Sequence, residues 1–375
     1  MGFLPQGEET VSLLLKEIRR TPLLWLLVLV PAVLAAQILY PDAHTPLFVL
    51  SVAAIVPLAA LLSRATESVA VKTGDTIGGL LNATLGNLTE LVIALAALRA
   101  GQYVLVKASI AGAIVTNSLF MLGMSFLIGG LSHHVQEYNR NSARLQAGLL
   151  FLATIAMLVP SVEIETDAPA TTAEWTQPLS ACLSVLLIVT YGLGLLFSLK
   201  THREFFGGAD HEEDKETQWP LSLALVTLAA VTVLVALVSE VFVESVQQAA
   251  TALGISPAFV GFIIVALVGG AAEMVTAFSA ARKDRLDLSV GVALGSAAQI
   301  ALFVAPVLVL VSYFLGPTPM DLQFSRGAVA FMLISAMTAS LIANTGRSTW
   351  FVGALIVVVY LIFALTLYLL PPGVQ

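Results

Sequence analysis

Eleven long apolar segments, separated by short polar or turn-forming stretches, run along this chain. They cover about residues 22–40, 46–70, 75–98, 104–130, 142–160, 176–199, 219–246, 257–281, 287–315, 325–344 and 349–370. Most approach or exceed the roughly 20 residues with which an α-helix crosses the hydrocarbon core of a bilayer. Turn-forming residues mark several joins, as in YPDAHTP at 40–46 and FLGPTP at 314–319. The pattern predicts an all-α polytopic membrane protein with about eleven transmembrane helices.

Composition excludes a water-soluble globular protein. Of the 375 residues 58% are hydrophobic and only 11% are charged, whereas soluble domains carry roughly 25% charged residues. The single cysteine, Cys182, excludes a disulfide within the chain and a cysteine-based zinc site. The first apolar run follows the basic KEIRR at 16–20 and is long for a signal peptide, so a first transmembrane helix is the simpler interpretation. The net charge of −7 comes from clustered acids, and we expect the lipid bilayer but no nucleic acid as a partner.

The basic residues predict an orientation. If the N-terminus is cytoplasmic, 14 of the 17 Lys and Arg residues fall in cytoplasmic connections, and only Arg99, Lys107 and Arg326 fall on the other side. Cytoplasmic loops of membrane proteins carry such an excess of Lys and Arg. The N-terminus is therefore predicted to be cytoplasmic, and an odd number of spans places the C-terminus on the opposite side.

Two halves of the chain resemble each other. GNLTELVIALAA at 86–97 matches GGAAEMVTAFSA at 269–280, and one constant offset of 183 residues pairs Glu90 with Glu273 and Gly112 with Gly295. Five spans separate the matched helices, so the two copies cross the membrane in opposite directions, as in the inverted repeats of many secondary transporters.

We therefore predict four parts. They are an N-terminal segment with the first helix (1–45), a first five-helix repeat (46–200), an acidic cytoplasmic linker (201–218) and a second five-helix repeat (219–375). The linker is either a solvated join or an acidic element that attracts divalent cations, and its spacing does not separate these alternatives.

Glu90 and Glu273 are the main candidates for chemistry, because each lies within apolar sequence. A charged residue at a helix centre costs about 2.5–3.5 kcal/mol on insertion scales, and neither glutamate has a Lys or Arg within a helical turn or two. Three explanations remain open: a salt bridge to a basic residue of another span, a protonated carboxyl bonded to a backbone carbonyl, or an ion or proton site. Intramembrane acids are most often functional, which favours the third.

Polar and small residues around the glutamates extend the candidate site. Predicted additional cation or proton ligands are Asn87, Thr116, Ser296 and Gln299. Glycines at Gly86, Gly112, Gly269, Gly270 and Gly295 would let helices approach closely or free carbonyl groups for coordination. Three acids near helix ends, Glu67, Glu240 and Glu244, are either interfacial carboxylates or ligands in a vestibule.

Oxygen ligands of this kind suit hard cations such as Ca²⁺, and Mn²⁺ would tolerate a similar set. Two carboxylates are neutralised by one Ca²⁺ or by two protons, so the two occupants would exclude each other. The sequence predicts a transporter with Ca²⁺ as cargo and no cofactor. An enzyme is disfavoured, since no His or Asp lies deep in a span; a channel would show uptake without proton counterflow, and homo-oligomers are possible.

The paired motifs, with GSAAQIALFVAPVLVL at 295–310, resemble the Ca²⁺/H⁺ antiporter branch of the cation/Ca²⁺ exchanger superfamily. The resemblance covers the chain from the second span to the eleventh. It implies eleven helices, alternating access, and export or sequestration of cytosolic Ca²⁺ that is driven by a proton gradient. It assigns the ion site to Glu90, Glu273, Asn87, Gly295, Ser296 and Gln299. The family usually has Gly-Asn-Ala-Ala-Glu-His in the second motif, whereas this chain has Gly270 and Met274 at the Asn and His positions. Mn²⁺ or Na⁺ therefore remains an alternative substrate.

Overall fold

The fold is almost entirely helical in this computed structural model, which describes residues 13, 17–19, 21–73, 75–162, 169–202 and 219–369. Within these residues, nine helices are long and apolar enough to cross a membrane, and two bent helix pairs raise the number to eleven if each pair is one span. The predicted all-α architecture with about eleven membrane helices is thus confirmed.

In the first half of the chain, the described residues form seven helices and one strand with defined bounds. They are α1 (Pro22–Leu39), α2 (His44–Lys72), α3 (Asp75–Leu85), α4 (Leu88–Arg99), α5 (Tyr103–His133), β1 (Val135–Glu137), α6 (Arg140–Val162) and α7 (Pro169–Leu196). A turn of π-helix, Phe197–Thr201, continues α7.

Between residues 219 and 369, the part of the second half that the structure describes, there are six helices and one strand. They are α8 (Leu221–Leu253), α9 (Pro257–Gly269), α10 (Ala271–Arg282), α11 (Leu286–Val311), α12 (Arg326–Ala343), β2 (Arg347–Thr349) and α13 (Trp350–Leu369). The division into four parts stays a prediction, and residues 203–218 of the predicted linker and 370–375 of the C-terminus lie outside the described residues.

Each half has one broken membrane helix in the corresponding place. The axes of α3 and α4 differ by 41° and those of α9 and α10 by 58°. The backbone leaves helical geometry at Asn87 (φ −98°, ψ 32°) and at Gly270 (φ −79°, ψ 6°). Glycine weakens a helix because it loses more conformational freedom on folding than other residues do. Gly86 and Gly269 immediately precede the two breaks. The second member of each pair therefore starts just before a glutamate: Glu90 lies in the first turn of α4 and Glu273 in the first turn of α10.

The two halves pack against each other through their long and broken helices. Helix α2 runs along α8, where the rings of Phe48 and Phe242 stack with centroids 5.6 Å apart. Helix α5 crosses the start of α9 so closely that a Cβ atom on Gly112 would lie 2.1 Å from the carbonyl oxygen of Phe262. Small residues allow such backbone approach between membrane helices.

Three boundaries differ from the sequence prediction, and the first is the start of α7, which lies at Pro169 and not near 176. Helix α8 continues to Leu253, past the predicted end near 246, and stops at Gly254 in the left-handed conformation (φ 69°). Helix α11 ends at Val311, although the apolar segment continues to 315. The following connection packs inward through the buried side chains of Met320, Leu322 and Phe324. This burial explains why the connection is apolar although it is not helical.

A short antiparallel sheet of β1 and β2 joins two connections on one face, with Gln136 paired to Ser348. The buried Gln136 amide donates to the Ala281 carbonyl at 3.0 Å and so fixes the last turn of α10. The sheet was not predicted, because strands of three residues leave no periodic signal.

Candidate cation-binding site

The broken helices of the two halves meet at their breaks. A Cβ atom placed on Gly269, the last residue of α9, would lie 2.9 Å from Cγ and 3.2 Å from Oε1 of Glu90. The carboxylate of Glu90 therefore lies directly against the break that precedes Glu273. The two carboxylates are close enough for the negative charge of Glu90 to act on Glu273.

Neither glutamate is neutralised by a basic side chain among the described ion pairs. Those pairs are Glu17–Arg64, Arg99–Glu240, Lys107–Asp321 and Glu137–Arg347. The Oε2 atom of Glu273 is buried and has no hydrogen-bond partner in the structure. Two adjacent carboxylates in an apolar interior cannot both remain charged without a compensating cation. The salt-bridge explanation for these acids is thus not supported, and the proton and cation explanations remain.

A buried hydrogen-bond chain connects the two halves beside the carboxylates. Ser296 Oγ donates to Asn87 Oδ1 at 2.7 Å and accepts from Asn117 Nδ2 at 2.9 Å. Both asparagines are 1% exposed. The Ser296 hydroxyl also lies within reach of the Glu273 carboxylate. This Asn117–Ser296–Asn87 chain fixes both amides next to the acids.

The chain leaves specific polar atoms unpaired. Asn117 Oδ1 is buried without a partner, and it lies 3.4 Å from the position that a Cβ atom on Gly270 would occupy. Asn87 Nδ2 also has no partner. Buried polar groups are normally hydrogen-bonded, so an amide oxygen and a carboxylate oxygen left free in one place indicate a ligand site.

Gln299 holds the end of the first half-helix. Its Nε2 donates to the carbonyl of Ala83, which also accepts the Tyr191 hydroxyl at 2.5 Å. Ala83 lies in the last turn of α3, where carbonyl groups have no partner within the helix. The Gln299 Oε1 atom lies 3.7 Å from the Cβ position of Gly86. Gln299 is therefore at the break, with its nitrogen capping α3.

Three predicted residues make contacts away from the carboxylates. The Thr116 hydroxyl donates to the Tyr360 hydroxyl at 3.3 Å. Gly112 packs on the backbone of Phe262, as expected of a helix-packing glycine, and Gly295 faces the Gln146 side chain at 3.6 Å from its Cβ position. The role of Thr116 as a ligand stays a prediction; its neighbour Asn117 is the residue of this turn that bonds to Ser296.

The acids predicted for a vestibule have other partners. Glu240 forms an ion pair with Arg99 at 3.1 Å, and Glu244 accepts a hydrogen bond from Gln37 Nε2 at 2.8 Å. Glu67 is exposed on α2. The partners of Glu240 and Glu244 are thus Arg99 and Gln37, not the two buried glutamates.

Sequence reasoning missed Asn117 and Tyr191. Asn117 is a costly amide in an apolar helix, next to Thr116, and that cost was the available signal. Tyr191 has no such signal, since a single tyrosine in a peripheral helix is common in membrane proteins.

The donor set is two carboxylates with amide and hydroxyl oxygens. Among the described residues no three His, Cys, Asp or Glu side chains form a metal-binding group. An ion would therefore bind through the two glutamates and neutral oxygens, which is the chemistry that hard cations prefer.

Fold and site together define a multi-pass integral membrane protein with an acidic, oxygen-lined site between two broken helices. Comparison with known proteins places the chain in a family. The family described as "Sodium/calcium exchanger protein" matches residues 43–200 and 223–369, two stretches that correspond to the two halves. The chain belongs to this sodium/calcium exchanger family.

Similar proteins cover nearly the whole chain. A Ca²⁺/H⁺ antiporter of Aphanothece halophytica is 39% identical over 360 residues, which is 92% of this chain and 96% of that protein. The Ca²⁺/H⁺ antiporter ChaA of Bacillus subtilis is 40% identical over 86% of this chain and 92% of its own length. The solved structure of native YfkE superposes with a TM-score of 0.79 at 35% identity, over 92% of this chain and all of that one. These likenesses confirm the resemblance noted from the motifs.

Proposed function

We propose that this protein exchanges Ca²⁺ for protons across a membrane, with Glu90 and Glu273 as the shared site. The observation that carries the proposal is the meeting of two carboxylates that lack a basic partner in the described structure, next to the unpaired Asn117 and Glu273 oxygens. The names of the curated relatives, Ca²⁺/H⁺ antiporters at 39% and 40% identity, support the same substrates.

Exchange follows from charge balance at the pair. One Ca²⁺ or two protons neutralise two carboxylates, and a site with both carboxyls protonated offers no charge to a divalent cation. Asn117 Oδ1 and the neighbouring amides would complete the oxygen shell that Ca²⁺ requires. Proton binding therefore releases Ca²⁺, and Ca²⁺ binding releases protons.

We further propose alternating access, with this structure closed on the side where α4 ends. On that side three contacts, together called the α8 clasp, hold α8 to neighbouring elements: Arg99–Glu240, Gln102 to the Val243 carbonyl at 2.7 Å, and Gln37–Glu244. Below the clasp, apolar side chains that include Ile55, Ile93 and Phe242 surround only a small gap. This apolar lining supports a path closed to hydrated ions on that side.

We infer that the opposite side is the open one. The polar side chains of Asn82, Thr276 and Ser279 on the half-helices are exposed there, and α10 ends at Arg282 on the same side. The excess of Lys and Arg in the connections on this side supports a cytoplasmic assignment, with the N-terminus on it and the C-terminus opposite. The structure would then be the cytoplasm-facing state.

Flux through reconstituted protein tests the function. Proteoliposomes containing a pH dye receive a pH step, and uptake of Ca²⁺, Mn²⁺ or Na⁺ is followed together with internal pH. We expect Ca²⁺ uptake coupled to proton efflux in the wild type, and loss of both in Glu90→Gln and Glu273→Gln. Glu137→Gln, which removes an exposed carboxylate paired with Arg347, is the matched control and should transport normally. Uptake without proton movement, or undiminished exchange in either glutamine variant, would contradict the proposal.

A further inference from the structure

The second break lacks the amide that the first one has. By the constant offset, Gly270 corresponds to Asn87 and Met274 to Leu91. Met274 is buried, and its methyl carbon lies 3.5 Å from the position that a Cβ atom on Gly270 would occupy. The thioether therefore folds back by one helical turn and covers the glycine. Methionine suits such gaps because its chain is unbranched and flexible.

Two acceptor oxygens border the same position; the Ala266 carbonyl already accepts the Gly270 backbone N–H at 3.1 Å, whereas Asn117 Oδ1 has no donor. Asn117 Oδ1 lies 3.4 Å and the Ala266 carbonyl oxygen 3.3 Å from that position. Gly270 offers no side chain, and the Met274 methyl group cannot donate a hydrogen bond. This apolar lining explains why Asn117 Oδ1 has no partner in the structure, although Asn117 Nδ2 is held by Ser296.

We propose that Gly270 and Met274 determine the cation affinity and selectivity of the exchange site by keeping Asn117 Oδ1 free of hydrogen-bond donors. This inference rests on the proposed function, because it assumes that a cation binds between Glu90 and Glu273. A donor at either position would pair with the amide oxygen and compete with the cation for it. A bare oxygen, already desolvated and fixed by Ser296, can coordinate without breaking a hydrogen bond.

The lining also bears on which divalent cation is favoured. Ca²⁺ takes six to eight oxygen ligands, whereas Mn²⁺ is satisfied by an octahedron of six. Loss of one neutral oxygen ligand therefore weakens the binding of Ca²⁺ more than the binding of Mn²⁺. By leaving Asn117 Oδ1 unpaired, Met274 and Gly270 thus favour binding of Ca²⁺ over Mn²⁺.

Matched substitutions separate hydrogen bonding from packing. Met274→Gln keeps an unbranched side chain of similar length but adds donors, and Met274→Leu keeps an apolar wall. Gly270→Ser adds a hydroxyl, and Gly270→Ala adds only the Cβ that both variants share. Calorimetric titration of the purified full chain with Ca²⁺ and with Mn²⁺, at one pH, gives each affinity, and thermal unfolding checks that each variant is folded.

We expect Ca²⁺ affinity to fall about ten-fold or more in Met274→Gln relative to Met274→Leu, in the range known for residues that support metal ligands. The same ordering should hold for Gly270→Ser against Gly270→Ala, and the preference for Ca²⁺ over Mn²⁺ should fall in both donor variants. Equal Ca²⁺ affinity and equal selectivity within each folded pair would overturn the inference. If Glu273→Gln still loses Ca²⁺ binding in that case, the proposed function stands and only the role of Gly270 and Met274 is refuted.

Discussion

Ser296 has one hydroxyl proton and three polar neighbours: Asn87, Asn117 and the Glu273 carboxylate. It belongs to the second half of the chain, while both asparagines belong to the first. A single small side chain thus orients the neutral oxygens of the site across the interface between the halves.

Replacing Ser296 should therefore weaken the site without removing a carboxylate. In Ser296→Ala the two amides lose their common partner and can rotate, and we expect Ca²⁺ affinity to fall about ten-fold. Ser296→Thr keeps the hydroxyl and should retain most of the affinity. Ser289→Ala is the control, because Ser289 is buried on the same helix without a partner in the structure. If calorimetry gives the same Ca²⁺ affinity for Ser296→Ala and Ser289→Ala, this role of Ser296 is refuted.

Gly269 is the second sensitive position, because the Glu90 side chain occupies the space of its missing Cβ. In Gly269→Ala the new methyl group would lie under 3 Å from Cγ of Glu90, so the carboxylate must move. We expect transport to fall at least ten-fold while the protein remains folded. Gly291→Ala is the control, since no atom lies within 4 Å of that Cβ position. Normal Ca²⁺ flux in folded Gly269→Ala would show that the close contact is not needed.

Residue patterns predicted the carboxylate pair but not the whole shell. Glu90 and Glu273 stood out because a charge in apolar sequence is costly. Thr116 and Asn117 are neighbours on one helix, and choosing between them required knowledge of how α5 is rotated against its partners. The functional roles of these residues stay predictions until ion binding is measured.

At the scale of elements, the two broken helices do most to form the site. Each break puts a glutamate in the first turn of a new helix, next to groups that a continuous helix would have hidden. The sequence analysis treated 75–98 and 257–281 as single spans and did not predict these bends, although a glycine precedes each break. The two breaks are not equivalent, since side chains of Gln299 and Tyr191 cap the first, while the Met274 methyl covers the second.

The α8 clasp supplies a prediction at this scale. Arg99→Gln or Glu240→Gln removes the charge pair that ties α4 to α8, which should favour opening of that side. In a Cys182→Ser background, Ile55→Cys reports opening by its reaction with a membrane-impermeant thiol reagent applied from the clasp side. We expect labelling several-fold faster with the clasp broken.

The exposed Arg347–Glu137 pair provides the control for that experiment. It has a similar geometry but joins the two strands of the sheet and does not touch α8. Arg347→Gln should leave labelling of Ile55→Cys unchanged. If the clasp variants label no faster than this control, the clasp does not close that side.

At the scale of the whole molecule, most of the fold was predictable from the lengths and spacing of the apolar segments. A bilayer sets the length of a spanning helix and requires its backbone hydrogen bonds to be made internally. The end of α11 and the inward-packed connection after it were not predictable in this way. Leu322 and Phe324, for example, are apolar and buried within the protein. Composition alone does not distinguish apolar residues packed against protein from those packed against lipid.

Orientation is testable at the same scale. Phe314 is 92% exposed on the side predicted to face away from the cytoplasm, and Glu137 is exposed on the side predicted to face it. In the Cys182→Ser background we expect an impermeant thiol reagent to label Phe314→Cys in intact cells, and Glu137→Cys only after permeabilisation. The reverse result would invert the assignment of both termini.

The central claim is that Ca²⁺ and protons compete for one pair of carboxylates, and proton release on Ca²⁺ binding measures this most directly. Calorimetry of the wild-type protein in buffers of different ionisation enthalpy gives the number of protons released at each pH. We predict up to two protons per Ca²⁺ at acidic pH, with Ca²⁺ affinity falling as much as about a hundred-fold per pH unit where both carboxyls are protonated. Glu90→Gln and Glu273→Gln should each abolish tight binding. Ca²⁺ affinity that is independent of pH, with no protons released, would contradict the account.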